Sequence, residues 1–374
     1  MAKFALKKVL LNKWNYSSHS RSGLAMFKSR KRIALDDPSL ERVKLTPQML
    51  DYDKFASRGR SQYLPYVMGF NAANYRSTSI NTDRLGFRLA HDAEGRPISV
   101  GSLEARAPQA VNLLVGASSA LGYGASSDAA TVASRLAAQD PDATPWLNFA
   151  GHCFNSTQEL MLFTLHLHRL PKVRKIVVMG GFNTLVMARL PEFIRSDLPP
   201  FYFCGDYYEK FDEIADENGA ELPPVKLPKW PTETTSVPPI AQTVARAAEE
   251  TLNCLRTWKR LADSLGAELC FLMQPLATWV RTPCTEEQKL FDELDRISRL
   301  GTWQYLYGDI SDPAAADHYA DKLASGCHAM GIRFGNLVDD LRQRPADEWL
   351  FVDRAHYTDL GNEVVARAIH RNLQ

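Results

Sequence analysis

From Ala110 onward, short apolar runs alternate with segments whose Ala, Val and Leu recur at helical spacing. The runs are Val111–Val115, Trp146–Phe149, Lys175–Met179 and Ala267–Met273, and glycine or proline follows each within a few residues. Continuous apolar runs of this length read as parallel strands buried on both faces. The helical segments between and after them are Asp128–Ala138, Ser156–Leu170, Ala241–Leu265 and Thr358–Asn372, with Trp349–Val352 as a last short extended piece. Asp128 is read as the N-cap of the first, Leu160, Phe163, Thr164 and Leu167 as one side of the second, and Leu252, Leu255 and Leu261 as inward residues of the third. Strands alternating with helices predict an α/β domain. It is a three-layer α/β/α sandwich around a mainly parallel, about five-stranded sheet of flavodoxin-like type.

The rest of the chain follows a different rhythm. Residues 1–108 carry aromatic and Gly/Asn/Asp punctuation without a sustained helical period, and predict an extension packing on a main domain at 109–374. Residues 190–240 are rich in proline and aromatics and form an insertion, read either as a lid over a site or as a surface excursion. Nine basic residues and no carboxylate lie between Met1 and Arg32, although the whole chain carries a formal net charge of only +1. This 1–32 basic arm reads as a solvated tail or as a contact for an acidic partner, a carrier protein or phospholipid heads. The balanced total gives no reason to expect nucleic acid. Lys7, Lys8 and Lys13 interrupt the apolar residues near the start, and no later stretch reaches the length of a membrane span. A soluble, cytoplasmic protein is expected. Six scattered cysteines fit free thiols, and no cysteine or histidine spacing matches a metal site, so neither metal nor cofactor is expected.

Ligands in open α/β sheets bind outside the carboxyl ends of the strands. The residues there are Gly116–Gly124, Asn148–Thr157 and Gly180–Thr184, joined by Asp353–Gly361 after the last extended piece. They hold small residues, hydroxyls, an amide and one Asp–His pair. Those parts suit acyl transfer: a serine needs a base, the imidazole needs an orienting acceptor, and the developing oxyanion needs fixed N–H donors.

In order and spacing, these four blocks resemble those of the SGNH (GDSL-like) hydrolase superfamily. Gly116-Ala-Ser-Ser-Ala-Leu-Gly resembles the nucleophile block and implies Ser118 as nucleophile, with Ser119 the competing hydroxyl. Asn148 through Glu159 resembles the block that lends a backbone amide to the oxyanion hole. Spacing puts that amide at Cys153, with Gly151 the alternative. Gly181-Phe-Asn-Thr resembles the G-x-N-D block, with Asn183 as side-chain donor and Thr184 in place of Asp. Asp353-Arg-Ala-His356 matches D-x-x-H. The oxyanion hole implied is thus Ser118, Cys153 and Asn183. Tyr63–Tyr66, Asn81–Arg88 and Phe154–Leu160 further resemble the inducer-of-phenazine-A-like branch found among bacterial secondary-metabolite genes.

Each residue also has a plainer reading. Ser118 is a favoured helix cap, Asn183 a turn residue, and Asp353 with His356 a surface pair before a helix. His152 reads as structural or substrate-lining, and Cys153 as lacking a basic partner that would make it a nucleophile. The expected function is hydrolysis of an ester or thioester, small or carrier-bound, through an acyl-enzyme on Ser118. The alternatives are an acyltransferase using the same residues and a non-catalytic binding or regulatory protein on the same fold.

Overall fold

A computed structural model describes residues 35–57, 60–189, 237–298 and 302–374. The basic arm through residue 32 and the insertion from 190 to 236 lie outside the described residues. Two antiparallel pairs precede the main sheet: β1 (Gln62–Leu64) with β2 (Met68–Phe70), and β3 (Ala90–His91) with β4 (Pro97–Ile98). Short helices at Glu41–Leu45 and Met49–Phe55 lie before them, where sequence punctuation had suggested only irregular chain. This region packs through aromatics, with Phe87 4.8 Å from Phe149 and Phe70 5.8 Å from Phe154 between ring centroids.

The main sheet holds β5 (Ala110–Gly116), β6 (Trp146–Ala150), β7 (Lys172–Gly180), β8 (Glu268–Met273) and β9 (Arg333–Asn336). Its order is β6-β5-β7-β8-β9 and every pairing is parallel. Every residue of β6, and all of β5 beyond Ala110, is buried, which accounts for runs without alternation. The Val132–Gln139 helix packs on the C-terminal Asp359–Asn372 helix; the Ile240–Leu265 helix packs on Ser156–His166 and Pro313–Ala329. The chain reverses its direction of travel across the sheet at β5 and β7, so their carboxyl ends flank a switch-point crevice.

Four expectations change. The fifth strand is Arg333–Asn336, and Trp349–Val352 joins no ladder beyond a single bridge from Phe351 to Tyr357. Its backbone donors are satisfied elsewhere: the Leu350 and Phe351 N–H groups donate to Glu287 Oε1 at 2.9 and 3.1 Å. Glu287 is in turn held by Arg281 at 3.0 Å. Asp128 is not a cap. It begins a 3-10 turn and pairs with Arg88 at 2.9 Å, while Thr131 caps the helix through Ser134. The inward face of the Ser156–His166 helix is Glu159, Leu162, Phe163 and His166, and Thr164 is exposed. Leu255 of the long helix is fully buried, whereas Leu252 and Leu261 only pack against the core edge.

Among the described residues no helix is long and apolar enough to cross a membrane, and no group of three His, Cys, Asp or Glu could hold a metal ion. The five described cysteines are free.

Candidate active site

Strand β5 ends at Gly116 (φ +157°), where a side chain is impossible: a Cβ there would lie 2.3 Å from the Met179 carbonyl oxygen on β7. The chain then turns through extended Ala117 into the one-turn helix Ser118–Leu121. Ser118 is its first helical residue and makes no side-chain cap, so its hydroxyl projects from the end of the strand into the crevice. Ser118 Oγ lies 2.7 Å from His356 Nε2, and His356 Nδ1 lies 2.7 Å from Asp353 Oδ2. A carboxylate can only accept, so Nδ1 donates to Asp353; with the proton on Nδ1, Nε2 of the imidazole can accept from the serine.

The D-x-x-H spacing has a local cause. Asp353 Oδ1 accepts from the backbone N–H groups of Ala355 and His356 at 2.8 and 2.9 Å, folding the turn that brings Oδ2 onto the ring. Burial alone would raise the Asp353 pKa. The imidazole and the backbone donors outweigh it and hold the carboxyl below its ordinary value. Thr358 caps the following helix through the Gly361 N–H at 3.0 Å.

Ser119 points the other way. Its hydroxyl donates to the Ala355 carbonyl at 2.9 Å and accepts from Gln274 at 3.2 Å, and it is buried. It ties the serine turn to the histidine loop, which leaves Ser118 as the hydroxyl facing His356. Asn148 plays a similar part, donating to the Ala120 and Leu121 carbonyls at 3.2 and 3.1 Å.

Cys153 and Gly151 differ in their hydrogen bonds. The Gly151 N–H donates to the Gly116 carbonyl at 3.1 Å and is already engaged. The N–H groups of Cys153 and Ser118 have no acceptor among the described residues. Cys153 sits at φ +62°, in the left-handed region where glycine would be at ease. Its sulfur lies 3.5 Å from the ring nitrogens of His152, yet burial pushes the thiol up to about 12. Burial, followed by repulsion from His356, pushes His152 down to about 4. Neither a thiolate nor an imidazolium forms there near neutrality.

Asn183 lies in the first turn of the Phe182–Ala188 helix, after β7, and one N–H of its amide donates to the Phe154 carbonyl at 2.7 Å. That bond links the third block to the second. Thr184 bonds Ser156 at 2.8 Å and ties the same two segments together. Phe182 stacks on Trp303 at 6.1 Å and meets Tyr307 edge-on at 5.9 Å, forming an aromatic group next to Asn183.

Sequence reasoning missed three supporting residues. Asn71 donates to the Ala150 carbonyl at 3.0 Å and accepts from the His152 N–H at 3.1 Å, bracing the Cys153 loop from outside the main sheet. Arg88 is fully buried and donates to the Leu121 and Gly122 carbonyls at 3.0 and 2.8 Å. Tyr123, within the Gly-Tyr-Gly that closes the serine block, lies 4.6 Å from His356 and 5.3 Å from His152 between ring centroids. Tyr123 had a signal in its place inside a block. Arg88 ends the Asn81–Arg88 segment, though nothing in that segment pointed to the serine turn, and Asn71 acts across the chain without a signal.

No protein-family model and no curated protein matches the chain. Among solved structures, the fold is similar to an extracellular lipase from Streptomyces rimosus at 14% identity and TM-score 0.38, covering 71% of this chain and 99% of that one. A putative SGNH hydrolase from Slackia heliotrinireducens is similar at 10% identity and TM-score 0.36, covering 71% and 100%. An acetylxylan esterase from Geobacillus stearothermophilus, in a catalytic mutant, is similar at 11% identity and TM-score 0.36, covering 71% and 94%.

Proposed function

We propose that this chain is a serine hydrolase of the SGNH type, acting on an ester or thioester through an acyl-enzyme on Ser118. The observation that carries the reading is the continuous hydrogen-bonded relay from Ser118 through His356 to Asp353, with both links at 2.7 Å. In this mechanism Ser118 Oγ attacks the acyl carbon while its proton passes to His356 Nε2. Asp353 stabilises the imidazolium that results. The N–H groups of Ser118 and Cys153, with the second N–H of the Asn183 amide, hold the oxyanion. The leaving group takes the proton from His356, and water deprotonated by the same nitrogen then releases the acid. The substrate is a small or carrier-bound acyl compound.

Membership in the inducer-of-phenazine-A-like branch belongs to the same proposal. It draws support from the roles of its signature segments: Arg88 closes one beneath the serine turn, and Asn155 caps the helix after the Cys153 loop in another.

Intact-mass analysis after fluorophosphonate treatment, with peptide mapping, tests the reading. One adduct on Ser118 is expected, absent in Ser118→Ala, slowed by at least about a hundredfold in His356→Ala, and never found on Cys153. A folded wild-type protein that forms no adduct refutes an activated serine.

A further inference from the structure

Tyr123 is half-buried at the point where three parts of the molecule meet. Its N–H donates to the Ser118 carbonyl at 3.0 Å, so its position is set by the serine turn itself. The carbonyls around it are pinned from the N-terminal region. Gly122 accepts from Arg88 at 2.8 Å and Gly124 from Gln48 at 3.0 Å, while the single Tyr52 hydroxyl proton lies between the Ala125 and Gly122 carbonyls, at 2.8 and 3.0 Å. The Tyr52 ring packs on the Tyr123 ring at 4.6 Å and 44°. The Tyr123 ring in turn lies 4.6 Å from His356, tilted by 39°, and 5.3 Å from His152, nearly parallel at 19°. The backbone on both sides of Tyr123 is thus held by hydrogen bonds, and its ring is laid against His356.

We propose that Tyr123 is a positioning residue for His356, its ring face stabilising the imidazolium that forms when Ser118 is deprotonated. The inference rests on the function proposed above and adds a residue to it. A cation within about 6 Å of an aromatic centroid is attracted to the ring face, and a partly desolvated site strengthens the attraction. Neutral imidazole gains much less, so the ring favours the charged form that the reaction passes through. The residues from 48 to 88 that pin Tyr123 thereby become part of the acid–base machinery without touching a substrate. The ionisable groups facing the pair are Asp353 beside His356, His152 and Cys153 from the oxyanion loop, and the Asp53–Arg42 pair behind Tyr123, bonded at 2.7 Å. None of them changes in the experiment.

The test uses the full chain with Phe, 4-fluorophenylalanine and 3,5-difluorophenylalanine at position 123, together with Tyr123→Leu. The fluorinated rings keep the shape of phenylalanine while draining electron density from its face. The rate of Ser118 phosphonylation is measured against pH for each, with melting temperature as a control on folding. The acid limb of the profile reports the base. It is expected to move to lower pH with each fluorine and furthest in Tyr123→Leu, by about 0.4 to 1.5 units in all. The plateau rate is expected to fall by between about two- and thirty-fold across the series. Limbs that coincide throughout the isosteric series, or that move to higher pH, overturn the proposal even if the Leu variant fails to fold. A wild-type protein that forms no Ser118 adduct would instead refute the proposed function, so the two failures are distinct.

Discussion

Glu159 shows how a single residue can set a pH dependence away from the relay. It is 3% exposed, its Oε2 has no hydrogen-bond partner among the described residues, and burial pushes its pKa up to about 8. The unfolded chain ionises this carboxyl near 4.5, so between about 4.5 and 8 the unfolded state binds fewer protons than the folded one. Stability therefore falls as pH rises through that window, and the loss is complete above it. Glu250, raised to about 7 by burial, acts in the same sense. The wild type minus Glu159→Gln difference in denaturation free energy isolates the first group: it should be near zero at pH 4 and favour Gln increasingly up to pH 8. A difference that does not vary with pH would show that Glu159 is solvated. The φ of Cys153 is +62°, and its N–H has no acceptor among the described residues.

At the scale of elements, the one-turn helix Ser118–Leu121 is too short to hold itself in place. Its fixity comes from Asn148 and Arg88, which bond its last carbonyls, and from Ser119, which ties it to the histidine loop. Arg88 and Asp128 form a buried ion pair with side chains 0% and 6% exposed. Removing Arg88 leaves the buried Asp128 carboxylate without its counter-charge, held only by neutral donors such as Asn81 at 2.7 Å, at a typical cost of about 3–5 kcal/mol. Arg88→Met should therefore lower the denaturation free energy by about that amount. Adding Asp128→Asn should recover part of it by removing the stranded charge. A loss under about 1 kcal/mol would indicate that water reaches the pair. The order of the sheet's helices and strands was legible in β5 to β8 because uninterrupted apolar runs are unambiguous there. The short β9, Arg-Phe-Gly-Asn, has no such pattern, and Trp349–Val352 has the pattern without the ladder because Glu287 takes its donors.

Across the whole molecule, the relay joins residues 238 positions apart, and the carboxyl edge of one sheet is what brings them together. The region before β5 is continuous with that core through Phe70, Phe87 and Tyr52, and it supplies Asn71, Arg88 and the contacts to Tyr123. A chain starting at residue 109 would expose Phe149 and Phe154 and lose those braces. It is expected to aggregate or to melt without cooperativity, as followed by circular dichroism and light scattering. If it instead folds cooperatively and reacts with the fluorophosphonate at the full rate, residues 35–108 contribute nothing to the site.

The sequence alone determined the α/β class, the position of the serine turn and the Asp–His spacing. Each of these depends on neighbours within a few residues: apolar runs, a glycine where no Cβ fits, and an aspartate whose oxygen reaches the amides two and three positions on. The packed structure sets Ser118 rather than Ser119 against His356, as the block resemblance implied. Only the tertiary structure shows that the Gly151 N–H is taken by Gly116 while that of Cys153 has no acceptor among the described residues, and that Tyr123, Asn71 and Arg88 pack against or bond the same loops. Those outcomes depend on which donors and acceptors are already engaged by distant segments, a competition that is settled only once the chain has packed.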